Sequence, residues 1–408
     1  MPGRARWIPI WFLFAGGMVN YMDRSALSVT APFLMKDLGL NAAQLGIIFS
    51  SFFAGYALFT FIGGYASDVL GPKRVLTGAM TIWSVFCGLT AAAGGFTSLL
   101  VLRVVFGFGE GPFGAAASKM AGNWFPREKI ATAIGVANAG TPIGGALAGP
   151  VAGWLALRYG WRTSFVLLAG IGLVWTLFWS VAVADRPQTY AGEADSHADK
   201  RSEDGPRLSF YLRKPAVIAT AFAFFGYGYV LYFFLTWFPS YLTMARHLSI
   251  DKMVLVSTIP WILGSAGLAI SGLVCDLLSR ITRDVLKARK LVLAVCLATA
   301  AICVGLAGLV SGLTPAVTLM ALAIFFVYVT GAAYWAIVQE TVESNHVGAV
   351  SGFVHLIANC AGIVGPAVTG FIVQASGVFT SAFVLAGAVA ALGAIAVALF
   401  VRRAPEVL

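Results

Sequence analysis

The sequence predicts an all-α polytopic membrane protein, with twelve transmembrane helices in two pseudo-symmetric six-helix bundles. Three observations predict it. The 408 residues are 59% hydrophobic and only 11% charged, whereas a soluble protein carries about 25% charged residues. Apolar stretches of about 20 residues, each long enough to cross a bilayer, recur along the whole chain. A loop pattern in the first half returns in the second. A membrane barrel would instead read as short alternating strands.

Taken in order, the spans fall at 7–33, 44–66, 74–94, 97–121, 129–153, 161–184, 215–242, 253–275, 288–310, 314–340, 347–374 and 379–401. The first segment is too long for a cleavable signal peptide and carries Asp23 and Arg24. The polar stretch Asp185 to Lys214 contains Pro187, Gly192, Gly205, Pro206 and a run of charges, which is linker chemistry. It divides the chain into an N-terminal bundle (1–184), a cytoplasmic linker (185–214) and a C-terminal bundle (215–408). Arg207 to Lys214 fits a short amphipathic helix lying on the membrane surface.

Orientation follows from the basic residues. With both termini cytoplasmic, inner loops and tails hold 19 of the 27 Lys and Arg, outer loops hold 5, and Arg24, Arg103 and Lys119 lie within spans. That asymmetry predicts a multi-pass protein of the inner (plasma) membrane with both termini inside. The net charge of +10 is thus an orientation signal and predicts no nucleic-acid partner. The five cysteines, Cys87, Cys275, Cys296, Cys303 and Cys360, all fall in spans without metal-like or disulfide-like spacing, and read as small packing residues. With no nucleophile–base cluster and no metal constellation, no enzyme and no resident cofactor are expected. The linker and short tails are too small for a signalling domain, which makes a membrane sensor a remote alternative. A monomer in a lipid bilayer is expected.

The halves echo each other. The loop after the second span reads from Gly64 through Asp68 and Gly71 to Lys73 and Arg74; the loop after the eighth reads from Gly272 through Asp276 to Arg280 and Arg283. The two aspartates are 208 residues apart, about half the chain. Gly149-Pro150 in span five likewise matches Gly365-Pro366 in span eleven, and Thr163-Ser164 matches Thr380-Ser381. Such a repeat implies two bundles facing a central cavity.

Ionisable residues inside spans are costly and mark substrate or ion paths. The first span holds Asn20-Tyr21-Met22-Asp23-Arg24. Adjacent helical residues diverge by about 100°, so Asp23 and Arg24 need separate partners. In span four, Arg103 and Glu110 are seven residues apart, close to two turns, hence on one face about 10 Å apart along the axis. Gly107, Gly109 and Gly111 leave that face thin. The alternatives are a pair snorkelling to an interface and a static network that fixes helix packing.

The Gly64 to Arg74 loop resembles the signature loop of the major facilitator superfamily. Within that superfamily the chain resembles the anion:cation symporters, which include sugar-acid, phthalate and tartrate permeases and the sialin and vesicular glutamate transporters. The resemblance covers nearly the whole chain. It is carried by Asn20 to Arg24, by Arg103-Val-Val-Phe-Gly107-Phe-Gly-Glu110-Gly111, by Trp124-Phe125-Pro126, and by Thr236-Trp237-Phe238-Pro239 with Tyr241-Leu242. It implies proton-coupled uptake of an organic anion, such as a sugar acid, by alternating access, with protons as the coupling ion.

In that resemblance the acids matching Asp23 and Glu110 are proton sites, the arginine matching Arg24 binds substrate, and the one matching Arg103 interacts with the span-four glutamate. An arginine offers a carboxylate a bidentate fork. The implied cycle has Asp23 and Glu110 protonating outside, which releases Arg24 to the substrate carboxylate; deprotonation inside then lets the substrate go. Tyr21 lies three residues before Arg24. The resemblance places substrate against the tyrosine matching Tyr56, and Thr141 stands where some relatives have glutamine. Tyr227 stands where glutamate carriers have arginine, which disfavours glutamate. Second-half candidates for the substrate are Tyr227, Trp335 and Asn359, with Tyr229, Tyr232, Gln339 and His355 nearby in the pattern. Asp68 with Arg74, and Asp276 with Arg280, are expected gates formed in one conformation only. The rival reading is a proton-coupled drug antiporter, because Gly145 to Trp154 nearly matches the glycine pattern of such proteins; a basic cavity would repel cationic drugs.

Overall fold

A bilayer core offers no water to backbone N–H and C=O groups, so apolar segments of this length must satisfy them internally, as helices. The computed structural model describes residues 5–125, 127–185 and 207–402, and these contain helices and connecting turns but no strand. Ten helical segments among them are long and apolar enough to cross a membrane. Large apolar side chains such as Leu58, Val166, Leu177, Phe178 and Ile302 are exposed. In water that surface would be an aggregation liability, whereas hydrocarbon accepts it.

The chain forms two compact units. The first comprises residues 1–200 and Leu242–Thr258. Its helices are α1 (Ile8–Leu38), α2 (Ala42–Leu70), α3 (Pro72–Leu89), α4 (Phe96–Glu110), α5 (Phe113–Trp124), α6 (Arg127–Asn138), α7 (Gly140–Ala148), α8 (Trp154–Tyr159) and α9 (Trp161–Ala182), with a π-helical segment, Gly149–Gly153, between α7 and α8. Local chemistry places the ends. Gly39 closes α1 in the left-handed region, and Asn41 opens α2 with a capping box, accepting from Gln44 N at 2.8 Å while Gln44 Oε1 accepts from Asn41 N at 3.0 Å. The α1 C-terminal end is tied to α9 by Asp37, which accepts from Arg162 and from the Trp161 indole. Those two donors hold the Asp37 carboxyl below the usual carboxylate range.

The expected first and fifth spans are the two absent from the ten. In α1 the polar residues Asn20, Asp23 and Arg24 and the terminal Lys36 and Asp37 lower the apolarity of a long helix. The fifth is divided into α6, α7, the π-helical segment and α8, and the π-helical turn falls at Pro150, which lacks the N–H that an α-helix would use.

Close helix crossing sets the geometry of the first unit. A side-chain carbon added at Gly107 of α4 would collide with the carbonyl of Phe52, and one at Gly55 of α2 with the carbonyl of Val104. Backbone therefore packs on backbone where α2 meets α4. Gly140 and Gly144 press α7 against α1 at Phe14 and Met18 in the same way.

The second unit comprises residues 201–241 and 259–408. A short helix, α10 (Leu208–Leu212), lies where the sequence places an amphipathic turn. It is followed by α11 (Pro215–Met244), whose last residues, with the next helix α12 (Ile250–Val256), fall in the first unit, and then by α13 (Thr258–Thr282), α14 (Val285–Ala307), α15 (Leu313–Val329), α16 (Gly331–Thr341), α17 (Ser344–Ser376) and α18 (Thr380–Phe400). α14 packs on α15 and α18, and the Trp237 indole of α11 donates to the Pro366 carbonyl of α17 at 3.0 Å. Tyr211 of α10 is buried with its ring on His346, and Lys214 Nζ donates to the Thr341 carbonyl at the end of α16. The linker residues Pro187, Gly192, Gly205 and Pro206, and Pro126, lie outside the described residues.

Candidate functional site

Four ionisable side chains are buried together in the first unit: Asp23 and Glu110 at 0% exposure, Arg103 at 3% and Arg24 at 5%. Helical geometry sends the adjacent Asp23 and Arg24 in different directions. Arg24 reaches α4, where Nε and Nη2 donate to Glu110 Oε2 at 3.1 and 2.6 Å. Nη2 is also 3.4 Å from Asn20 Oδ1, one turn back on α1. Asp23 turns to α3 instead and accepts from the Trp83 indole at 3.1 Å.

Aromatic rings wall the Arg24–Glu110 pair. The Arg24 guanidinium lies 5.0 Å from the ring centroid of Tyr21, 4.7 Å from Phe52 and 4.8 Å from Tyr56. Phe52 is shared: the Arg103 guanidinium sits 5.1 Å from the same ring and 4.4 Å from Phe106. Ring faces attract cations most when water is excluded, so two like charges occupy one apolar neighbourhood without a carboxylate for each. Asp23 Oδ1, Glu110 Oε1 and Arg103 Nε find no hydrogen-bond partner among the described residues.

Glu110 accepts hydrogen bonds from Arg24, and no hydrogen bond joins it to Arg103 among the described residues. The reason is distance along the helix: seven residues separate Arg103 from Glu110, about 10 Å, and α1 brings a nearer guanidinium. Tyr21 stands beside Arg24, as its spacing of three residues indicates, and Tyr56 of α2 joins them. Thr141 does not join them. Its hydroxyl donates to the Asn138 carbonyl at 2.8 Å, and its methyl carbon lies against Gly17, two turns from Arg24.

The second-unit candidates form an aromatic group. Phe224 contacts Tyr227, Tyr334, Trp335 and His355, and Trp335 lies 5.5 Å from His355. Trp335 is 37% exposed, which leaves part of the indole available. Asn359 is buried and engaged at both ends, accepting from the Tyr232 hydroxyl at 2.9 Å and donating to the His355 carbonyl at 3.0 Å. Of the expected gating residues, the Asp68 side chain lies outside the described residues, and Arg74, Asp276 and Arg280 are exposed.

Three contributors were not read from the sequence. Trp83 and Phe52 are aromatics in apolar spans, where nothing in spacing separates a partner for charge from a packing residue. Asp185 opens the expected linker, yet its Oδ1 accepts from Lys73 N at 2.7 Å, and the neighbouring Ala184 carbonyl accepts from the Trp124 indole at 3.0 Å. An acid directly after a span and a Gly-Pro helix start were the available signals.

Sequence comparison agrees with this architecture. The family profile described as Major Facilitator Superfamily matches residues 13–362 and 284–408. A "Hexuronate transporter" of Bacillus subtilis (strain 168) is 51% identical over 396 residues, covering 96% of this chain and 94% of that protein. A "Probable galactarate/D-glucarate transporter" of Escherichia coli (strain K12) is 32% identical over 409 residues, covering 94% and 91%. Among solved structures, an inward-facing, unoccupied bacterial homolog of the human lysosomal transporter Spinster superposes with a TM-score of 0.81 at 18% identity, over 100% of both chains. Buried charges among helices long and apolar enough to cross a membrane, together with these matches, lead to one conclusion: the chain belongs to the major facilitator superfamily.

Proposed function

We propose that the protein takes up a sugar acid, a hexuronate being the first candidate, together with protons across the inner membrane, with both termini in the cytoplasm. The observation that carries this reading is the buried Arg24–Glu110 pair. The similarity to a hexuronate transporter over nearly the full chain supports the substrate class. A monocarboxylate sugar needs one fixed cation in place of lost water, and a guanidinium fork supplies it. In the resting arrangement that fork belongs to Glu110. Protonating Glu110 removes the competing anion, and the substrate carboxylate then takes its place on Arg24, with Tyr21 and Tyr56 flanking it. Asp23, held apart on Trp83, is the second coupling acid. Proton loss on the cytoplasmic side restores the Glu110 anion, which reclaims Arg24 and expels the substrate.

The glycine run that suggested a drug antiporter has a packing role: Gly149 and Gly153 lie against Val254 within the first unit. The test is uptake into proteoliposomes from a panel of D-glucuronate, D-galacturonate, D-glucarate and an aromatic acid, with and without an inward proton gradient. Gradient-dependent accumulation of the uronates is expected. Accumulation indifferent to the gradient, or efflux of cations instead, refutes the reading.

A further inference from the structure

Asp23 is held from α3 by a single side chain. Trp83 Nε1 donates to Asp23 Oδ2 at 3.1 Å, and both residues are fully buried. The indole has little freedom, because its ring stands edge-on to Phe113 at 5.6 Å and its backbone is pressed against Gly109 of α4, where any added carbon would collide. Asp23 Oδ1 has no hydrogen-bond partner among the described residues. The charged and titratable groups facing this carboxyl are Glu110 and Arg103 of α4 and the Cys87 thiol, one turn beyond Trp83 on α3. Arg24, next to Asp23 on α1, is turned to Glu110. None of these donates a hydrogen bond to Asp23 among the described residues.

An indole N–H is a donor only. It binds the carboxylate form of an acid more strongly than the neutral form, and it neither accepts nor loses a proton itself near physiological pH. Because Oδ2 is occupied by this donor, the incoming proton belongs on Oδ1. We propose that Trp83 is a positioning residue, whose indole N–H orients the Asp23 carboxyl, directs its proton to Oδ1 and sets the pH at which that proton is taken up. The consequence for transport rests on the reading of Asp23 as a coupling acid; the proposal about its ionisation does not.

The test is therefore made without substrate. Infrared difference spectra of the lipid-reconstituted protein are titrated over about pH 4 to 10, and the protonated-carboxyl band absent from Asp23→Asn is assigned to Asp23. Two changes then remove the N–H: Trp83→Phe, and β-(3-benzothienyl)alanine placed at position 83, which keeps the bicyclic shape with sulfur in place of N–H. In both, the Asp23 midpoint is expected to move to higher pH by about one unit, the effect of one hydrogen bond to a charged group. The benzothienyl protein decides the matter if the phenylalanine variant folds poorly. An unchanged midpoint in it overturns the proposal, as does a wild-type Asp23 band that does not titrate in this range. If the midpoint moves but the wild type does not accumulate uronates against their gradient, the transport reading fails and the role of Trp83 stands.

Discussion

Glu110→Gln isolates the competition on which the proposed cycle depends. The wild-type carboxylate holds Arg24 through two donors, at 3.1 and 2.6 Å, in a fully buried site. A glutamine oxygen still accepts from Arg24, but the attraction between two full charges in a low-dielectric site is lost. With charge-assisted bonds worth about 1.5–3 kcal/mol net, the substrate carboxylate is relieved of about 1.5 kcal/mol of competition. Binding of glucuronate near neutral pH should therefore tighten about tenfold, as measured by calorimetry in detergent or nanodiscs. Accumulation driven by a proton gradient should at the same time be lost, while exchange of labelled for unlabelled substrate persists, since exchange needs no net proton movement. Leaving the Arg24 charge without its anion also lowers stability, by up to the 3–5 kcal/mol seen when one member of a buried pair is removed, so a reduced melting temperature is part of the expectation. Gradient-driven accumulation equal to wild type, or a tenfold weaker affinity in a folded variant, refutes the reasoning.

Three other expectations follow from the same geometry. Arg24→Lys keeps the charge but gives up the fork and the planar stacking on Phe52 and Tyr56; uptake is expected to fall about 100-fold or more, for two lost contacts at about 1.4 kcal/mol per tenfold, and uptake within threefold of wild type contradicts Arg24 as the substrate fork. Gly107→Ala puts a methyl group into the Phe52 carbonyl, so α2 and α4 must separate at a cost of about 1–3 kcal/mol; a thermal melt should drop, whereas Gly122→Ala, which meets nothing within 4 Å, serves as the unaffected control. Asp185→Ala removes the acceptor for Lys73 N at the start of α3 and should cost about 1 kcal/mol, the value of a helix N-cap, read in the same melt.

The long apolar runs needed only their length to be read as helices, and Asn20 to Arg24 stood out because charge in such a run is costly. The pairing of those charges was not legible. Arg103 and Glu110 share a helix face in sequence, yet Glu110 bonds to Arg24, 86 residues away. Helical spacing gives direction along one helix and says nothing about which neighbour arrives there. The same holds for Trp83 and Asp23, 60 residues apart, and for Thr141, whose place in the pattern suggested the Arg24 site but whose helix carries it to Gly17.

Local order therefore came from the sequence unaided: the helical class, the recurrence of membrane-length apolar segments, and the presence of two acids and two arginines where lipid would not tolerate them. Those features depend on hydrophobicity and charge along a single stretch of chain. Partner choice was decided only in three dimensions. The close crossing of α2 and α4 over Gly55 and Gly107 brings Phe52 between two guanidiniums, and the approach of α1 gives Glu110 to Arg24 and Asp23 to Trp83. Each contact depends on the packing of several helices at once, which no single stretch of sequence encodes.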